Sequence, residues 1–139
     1  MILLITSALL YLLGWILSQK RKRDKRKDFI RWGLGVDCCY FYSRPFAVIN
    51  QCITINGYQE IVDNKSAICY SLVKMNWWGK RKVYCHNLIY GNYKDNKGFQ
   101  IVMKNIPNGE NYKIEVFNGV KMSYGQFQIK EDIDNPLTN

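Results

Sequence analysis

Residues 1–17 form an almost wholly apolar run, MILLITSALLYLLGWIL, that contains no charged side chain. As a helix rising 1.5 Å per residue, this run is about 25 Å long, slightly less than the roughly 30 Å hydrocarbon core of a bilayer. The lysines that follow can extend their ammonium groups to the headgroups, so a span is feasible. Tyr11 and Trp15 suit the membrane interface. The run predicts a single transmembrane helix over residues 1–19.

A dense run of positive charge follows at residues 20–31. It holds eight basic and two acidic residues, in a chain whose 20 Lys and Arg and 11 Asp and Glu give a formal net charge of +9. Because Lys and Arg beside a span favour the cytoplasmic side, we expect the N-terminus outside and the remaining chain in the cytoplasm. This juxtamembrane strip can also contact anionic lipid. The residues predicted to contact the membrane are Tyr11, Trp15, Lys20, Arg21, Lys22, Arg23, Lys25, Arg26 and Lys27.

Two alternatives to a retained anchor remain open. A cleaved signal peptide would need a basic segment before the apolar run and a small-residue cleavage site after it, and the sequence has neither. A buried or interfacial helix is the other alternative. Nucleic-acid binding is the alternative interpretation of the basic strip, but charge beside a span is more often a topology signal.

From residue 32 the pattern changes from helical to β. Runs rich in Val, Ile, Tyr, Phe and Cys predict seven strands, at 36–42, 46–55, 67–77, 82–90, 99–104, 112–117 and 121–130. Asn-Gly pairs at 56–57, 108–109 and 118–119 predict turns between them. We therefore expect a mainly β fold. It comprises one small antiparallel β-sandwich over residues 32–130, with a small β-barrel as the alternative, and a polar tail over 131–139.

One corner of this domain carries a more specific pattern. Residues 106–116, IPNGENYKIEV, place Ile106 six residues before Tyr112, with a Pro/Gly turn between them and alternating aliphatic residues after them. The segment resembles the corner before the penultimate strand of fibronectin type III and related immunoglobulin-like sandwiches. That resemblance implies a tyrosine ring in the core and a hydroxyl bonded back to the turn backbone. It also implies a protein-binding role, since domains of this kind usually bind proteins.

The most unusual stretch of the domain is a predicted hairpin at residues 74–84. Adjacent strand residues face opposite ways, so we expect one of its two tryptophans in the core and the other exposed. Basic residues beside an exposed aromatic ring suit a protein partner, a membrane surface, or a nucleotide bound by stacking and phosphate pairing. The candidate ligand- or partner-binding residues are Trp77, Trp78, Lys80, Arg81, Lys82 and Tyr84.

Little in the sequence indicates catalysis. The chain has a single histidine, His86, and contains no Walker loop, GxSxG, HExxH or GxGxxG motif. Its five cysteines lack a Cys-x-x-Cys pair, which argues against a metal cluster and for reduced thiols. We therefore expect a protein that is not an enzyme and that uses no metal or cofactor.

Two functions fit these features. The first is a membrane-anchored, non-enzymatic module at the cytoplasmic face that binds or assembles a protein partner. The second is a membrane effector whose β-domain senses a small anionic ligand, such as a signalling nucleotide, and drives assembly of transmembrane helices from several copies. The second layout resembles that of bacterial antiphage defence effectors. It predicts a deep cavity with Lys80, Arg81 or Lys82 at its mouth.

Overall fold

The structure, a computed structural model, describes Tyr11 and residues 29–94, 97–119 and 121–130. Its strands are β1 (Ile30–Leu34), β2 (Tyr40–Tyr42), β3 (Phe46–Val48), β4 (Cys52–Ile61), β5 (Ala67–Met75), β6 (Arg81–Tyr90), β7 (Phe99–Lys104), β8 (Gly109–Phe117) and β9 (Ser123–Lys130). Within these described residues, no helix has the length and apolar character that a membrane span requires. The predicted transmembrane helix lies outside them, apart from Tyr11. So do the polar tail and the predicted lipid contacts Trp15, Lys20, Arg21, Lys22, Arg23, Lys25, Arg26 and Lys27.

The strands form two antiparallel sheets. One has four strands in the order β1-β9-β4-β7, and the other has the order β2-β8-β5-β6 with β3 also paired to β8. The pairs β1·β9, β2·β8, β4·β7 and β5·β6 are nested, as in one long hairpin folded over on itself. Rolling that hairpin brings β9 beside β4 and β8 beside β5. The prediction of a mainly β, antiparallel sandwich is confirmed, and its strand order is that of a jelly roll.

The jelly-roll order differs from the immunoglobulin order. In immunoglobulin constant domains the last two strands lie in the same sheet, whereas here β8 and β9 lie in different sheets. Within residues 106–116, Tyr112 contacts the turn that precedes β8. The Tyr112 ring is fully buried, and its hydroxyl donates a hydrogen bond to the carbonyl oxygen of Pro107. Such a corner ties a strand to the turn that carries the chain from one sheet to the other.

The core lies between the inner faces of the two sheets. Strand β7 shows the pattern clearly, because its residues alternate between buried and exposed along its whole length. The fully buried large side chains of the core are Ile53, Ile55, Ile68, Tyr70, Leu72, Met103, Ile106, Tyr112, Ile114 and Phe127. Burial of each such side chain contributes roughly 1.5–3 kcal/mol, so the filled interior is the main stabilising feature of the domain.

Several local predictions were wrong. Strand β1 was missed because Arg31 and Gly33, on its outer face, obscure the alternation with the buried Trp32 and Leu34. The predicted strand over 46–55 is divided into β3 and β4 by a turn at which Gln51 adopts a φ of 55°. Asn56-Gly57 is not a turn but lies inside β4. A Cβ at Gly57 would come within 2.7 Å of the Phe99 ring, so glycine is needed there for packing.

Candidate functional site

The β5–β6 hairpin turns through residues 76–80, which we call the tip. Asn76 organises the turn. Its backbone N–H donates to the Lys80 carbonyl at 3.0 Å, and its side-chain oxygen accepts from the Lys80 N–H at 2.7 Å. Gly79 adopts a φ of 77°, a left-handed conformation that favours glycine, and its N–H donates to the Asn76 carbonyl. The tip is therefore a defined turn, and it presents Trp77 and Trp78 on its first half.

Both tryptophans of the tip are exposed. Trp77 is 83% exposed and Trp78 is 74% exposed, with ring centroids 3.8 Å apart. The expectation that one of them enters the core was wrong. Strand alternation does not apply to them, because β5 ends at Met75, before either tryptophan. The result is a contiguous indole surface that no core residue covers.

The other predicted site residues separate into different roles. Lys80 is exposed on the tip. Arg81 turns away from the tip and forms an ion pair with Glu115 at 2.6 Å. The Lys82 ammonium lies 4.9 Å from the centroid of the Tyr84 ring, and that ring packs edge-on against Tyr112. The structure thus places Trp77, Trp78 and Lys80 together, while Arg81, Lys82 and Tyr84 stabilise the hairpin and the core below it.

Glu115 is a buried carboxylate that sequence reasoning did not single out. It lies on the outer face of β8 and is 1% exposed. One oxygen accepts from the Arg81 guanidinium, and the other accepts from the Tyr42 hydroxyl at 2.8 Å. Burial, followed by this hydrogen bond, raises the pKa of Tyr42 to about 12. Three strands, β2, β6 and β8, are therefore joined by one charged group.

Tyr42 makes stability depend on pH in the alkaline range. Its raised pKa means that the folded state holds the phenolic proton more tightly than the unfolded chain, so this stabilisation is complete below pH 10 and lost as the pH rises through 12. Between pH 10 and 12 the free energy of unfolding of the wild type should fall by up to roughly 2 kcal/mol more than that of Tyr42→Phe. Urea unfolding of the two proteins at several alkaline pH values measures it. Parallel curves for the two proteins would contradict the assignment.

An apolar and aromatic surface surrounds Glu115 on the outer face of the five-stranded sheet. The register aligns Tyr40 with Phe117 across β2 and β8, and Phe117 with Cys69 and Leu88 across β5 and β6. The Tyr40 and Phe117 ring centroids are 4.6 Å apart. We call this surface the aromatic face and define it by its outward side chains, Tyr40, Tyr42, Val83, Leu88 and Phe117. No sequence signal identifies it, because strand pairing alone brings these residues together.

The outer face of the four-stranded sheet is polar by contrast. Its rows carry Asn56 beside Gln100 and Gln128, and Gln126 beside Tyr58 and Arg31. An open cavity of about 530 Å³ lies at one end of this face, lined in part by Arg31, Tyr58, Glu60, Lys94 and Tyr124. The Glu60 carboxylate accepts from Lys94 and Tyr124, and these contacts lower its pKa. Lys80, Arg81 and Lys82, which the ligand-sensing hypothesis places at a cavity mouth, do not line this one.

The five cysteines, Cys38, Cys39, Cys52, Cys69 and Cys85, are all described and form no disulfide. In the part of the chain that the structure covers, no group of three or more His, Cys, Asp or Glu side chains is arranged to hold a metal ion. Comparison with known protein families finds no family that matches this chain, and no curated protein sequence matches it.

Proposed function

We propose that this protein is a membrane-anchored, non-enzymatic binding module that docks a protein partner on its aromatic face at the cytoplasmic side of the membrane. The observation that carries the proposal is the exposure of Tyr40, Val83 and Leu88 around a rigid, hydrogen-bonded centre at Glu115. The apolar run at residues 1–17 and the basic strip after it support the anchor and its orientation.

The composition of the aromatic face suits a protein interface. The centres of such interfaces are enriched in Tyr, Phe and Arg, and their energetically dominant residues lie in well-packed surroundings. Here Tyr40 packs against Phe117, and Tyr42 and Arg81 are held in place by Glu115. Because these side chains are already ordered in the domain, they would lose little further side-chain entropy when a partner binds.

The edge of the sheet adds a second means of contact. Strand β6 ends the strand order of the five-stranded sheet, and Leu88 and Tyr90 on it are exposed. An edge strand can pair with an extended segment of another chain through its backbone groups. Anchoring raises the effective concentration of the domain at the membrane, so an interface of modest affinity would suffice for a membrane-bound partner.

Photo-cross-linking in cell membranes tests the proposal. A benzophenone amino acid replaces Leu88, which is 50% exposed on the aromatic face, and in a matched control it replaces Val102, which is 45% exposed on the polar face. We expect a discrete protein adduct from position 88 that is absent or several-fold weaker at position 102. Introducing Tyr40→Asp should abolish that adduct, because a charge would be desolvated in the interface. Equal adducts from both positions would contradict the proposal.

A further inference from the structure

The tip lies at one end of the sandwich, together with the termini of several strands. Lys74, near the end of β5, places its ammonium 4.2 Å from the centroid of the Tyr112 ring, near the start of β8. The ends of the two sheets are joined there, because Gln51 donates to the Asn108 side chain and accepts from the Ile106 N–H. We call this end, which includes the tip, the start of β8 and the ends of β7 and β9, the basic end.

Positive charge is concentrated at the basic end. Lys104 is the last residue of β7 and pairs with Cys52, and Lys130 is the last residue of β9 and pairs with Thr54. The lysines at this end are Lys74, Lys80, Lys82, Lys104 and Lys130. Among the described residues there, Glu110 is exposed, whereas Glu115 is buried against Arg81. This end therefore presents a surplus of exposed positive charge beside the indole rings of Trp77 and Trp78.

The chain enters the sandwich from the same direction. Strand β1 pairs antiparallel to β9, with Ile30 opposite Phe127 and Leu34 opposite Ser123. Phe127 is three residues before Lys130, so β1 begins about 10 Å from the basic end and runs away from it. Phe29, which precedes β1, therefore lies on the side of that strand nearer the basic end. An anchor in residues 1–17, joined through the strip at 20–28, would hold this end toward the bilayer.

We propose that the basic end is a second membrane contact, in which Trp77 and Trp78 enter the headgroup region and the surrounding lysines pair with anionic lipid phosphates. Tryptophan prefers the depth of the headgroups, where its ring is in an apolar environment and its N–H can reach water or a phosphate. Lysines near an anionic surface are attracted to it. The proposal rests on the anchoring proposed above and deepens it by fixing which end of the domain faces the lipid.

This contact would also orient the aromatic face. Strands β5, β6 and β8 run between the basic end and the opposite end of the sandwich. If the tip contacts the membrane, the outer face of their sheet is therefore roughly perpendicular to the bilayer and is not covered by lipid. The domain would then present the aromatic face sideways, along the membrane plane. A partner in the same membrane could reach it without displacing the tip.

Lipid photolabelling of the full chain in vesicles tests the proposal. The chain is inserted into phosphatidylcholine vesicles with or without phosphatidylserine, each carrying a trace lipid with a photoreactive diazirine at headgroup depth, and labelled peptides are mapped by mass spectrometry. We expect labelling at Trp77 and Trp78 that increases when phosphatidylserine is present. Trp77→Ser/Trp78→Ser, which alters only exposed side chains, should remove the label from this peptide.

Charge reversal provides the matched comparison. Lys80→Glu/Lys104→Glu at the basic end should lower labelling of the tip about fivefold or more for the phosphatidylserine vesicles. Lys65→Glu/Lys97→Glu changes the same number of exposed lysines away from that end, and it should leave the labelling unchanged. An unlabelled tip in the wild-type chain would overturn the proposal. So would equal effects of the two double variants, or salt-sensitive binding of single-stranded DNA by the tip without lipid labelling.

The anchor is assessed separately in the same vesicles by extraction at alkaline pH. A chain that resists extraction but carries no label at the tip would overturn the second contact and leave the proposed anchoring intact. A chain that is extracted would overturn the anchoring, whether or not the tip is labelled.

Discussion

Replacing Gly125 with alanine should destabilise the domain by about 3 kcal/mol or more. Gly125 lies in β9 between Trp32 of β1 and Gln59 of β4. A Cβ at this position would overlap the backbone carbonyl oxygen of Tyr58 and come within 2.6 Å of a carbon of the Trp32 ring. Displacing either group would cost free energy, because the carbonyl belongs to the hydrogen-bonded strands and the indole is buried in the core.

Gly33→Ala is the matched control for this prediction. Gly33 lies on the neighbouring strand, is exposed, and has no atom within 4 Å of the position that a Cβ would occupy. Alanine there should be neutral or stabilise the domain by up to about 1 kcal/mol, because it restricts the unfolded chain more than glycine does. Urea unfolding of the full chain in detergent micelles measures both variants. Similar free energies of unfolding for Gly125→Ala and Gly33→Ala would refute the packing argument.

Local sequence patterns predicted the mainly β fold and several of its strands. The strand predicted at 99–104 has the same bounds as β7, and alternation in 112–117 corresponds to most of β8. The patterns fail where packing between strands decides the structure. Gly57 follows an asparagine and so indicates a turn, yet it lies within β4. The Phe99 ring and the backbone carbonyl oxygen of Gln126 occupy the space that a side chain there would need. A sequence without pairing information cannot show that.

The candidate site was predicted only in part, for the same reason. Clustered tryptophans and lysines identified the tip, because that signal is contiguous in the sequence. The aromatic face and Glu115 gave no such signal. Tyr42 and Arg81 are separated from Glu115 by 73 and 34 residues, and only the jelly-roll pairing brings the three together. The resemblance of residues 106–116 to a tyrosine corner is likewise a local match and stays a prediction about relationship.

Arg81→Met should be the most damaging single change on the surface of the sandwich. It removes a guanidinium that is 44% exposed. The Glu115 carboxylate, which is 1% exposed, then keeps the hydrogen bond from the Tyr42 hydroxyl at 2.8 Å but loses its ion pair. An unpaired buried charge is expensive, and we expect a loss of about 2 kcal/mol after allowing for water that reaches Arg81. Chemical unfolding at neutral pH measures it. Lys121→Met, which breaks the exposed Lys121–Asp63 ion pair, should leave the free energy of unfolding almost unchanged.

The double variant Arg81→Met/Glu115→Met decides whether the cost comes from the stranded carboxylate. Methionine at both positions removes the charge together with its partner, so about half of the stability lost in Arg81→Met should return. Glu115→Met alone should cost only about 1 kcal/mol, because the freed guanidinium can turn to solvent while Tyr42 loses its acceptor. The expected order is therefore wild type, then Glu115→Met and the double variant close together, then Arg81→Met. A larger loss of stability in Glu115→Met than in Arg81→Met would contradict this explanation. It would mean that the ion pair itself stabilises the fold.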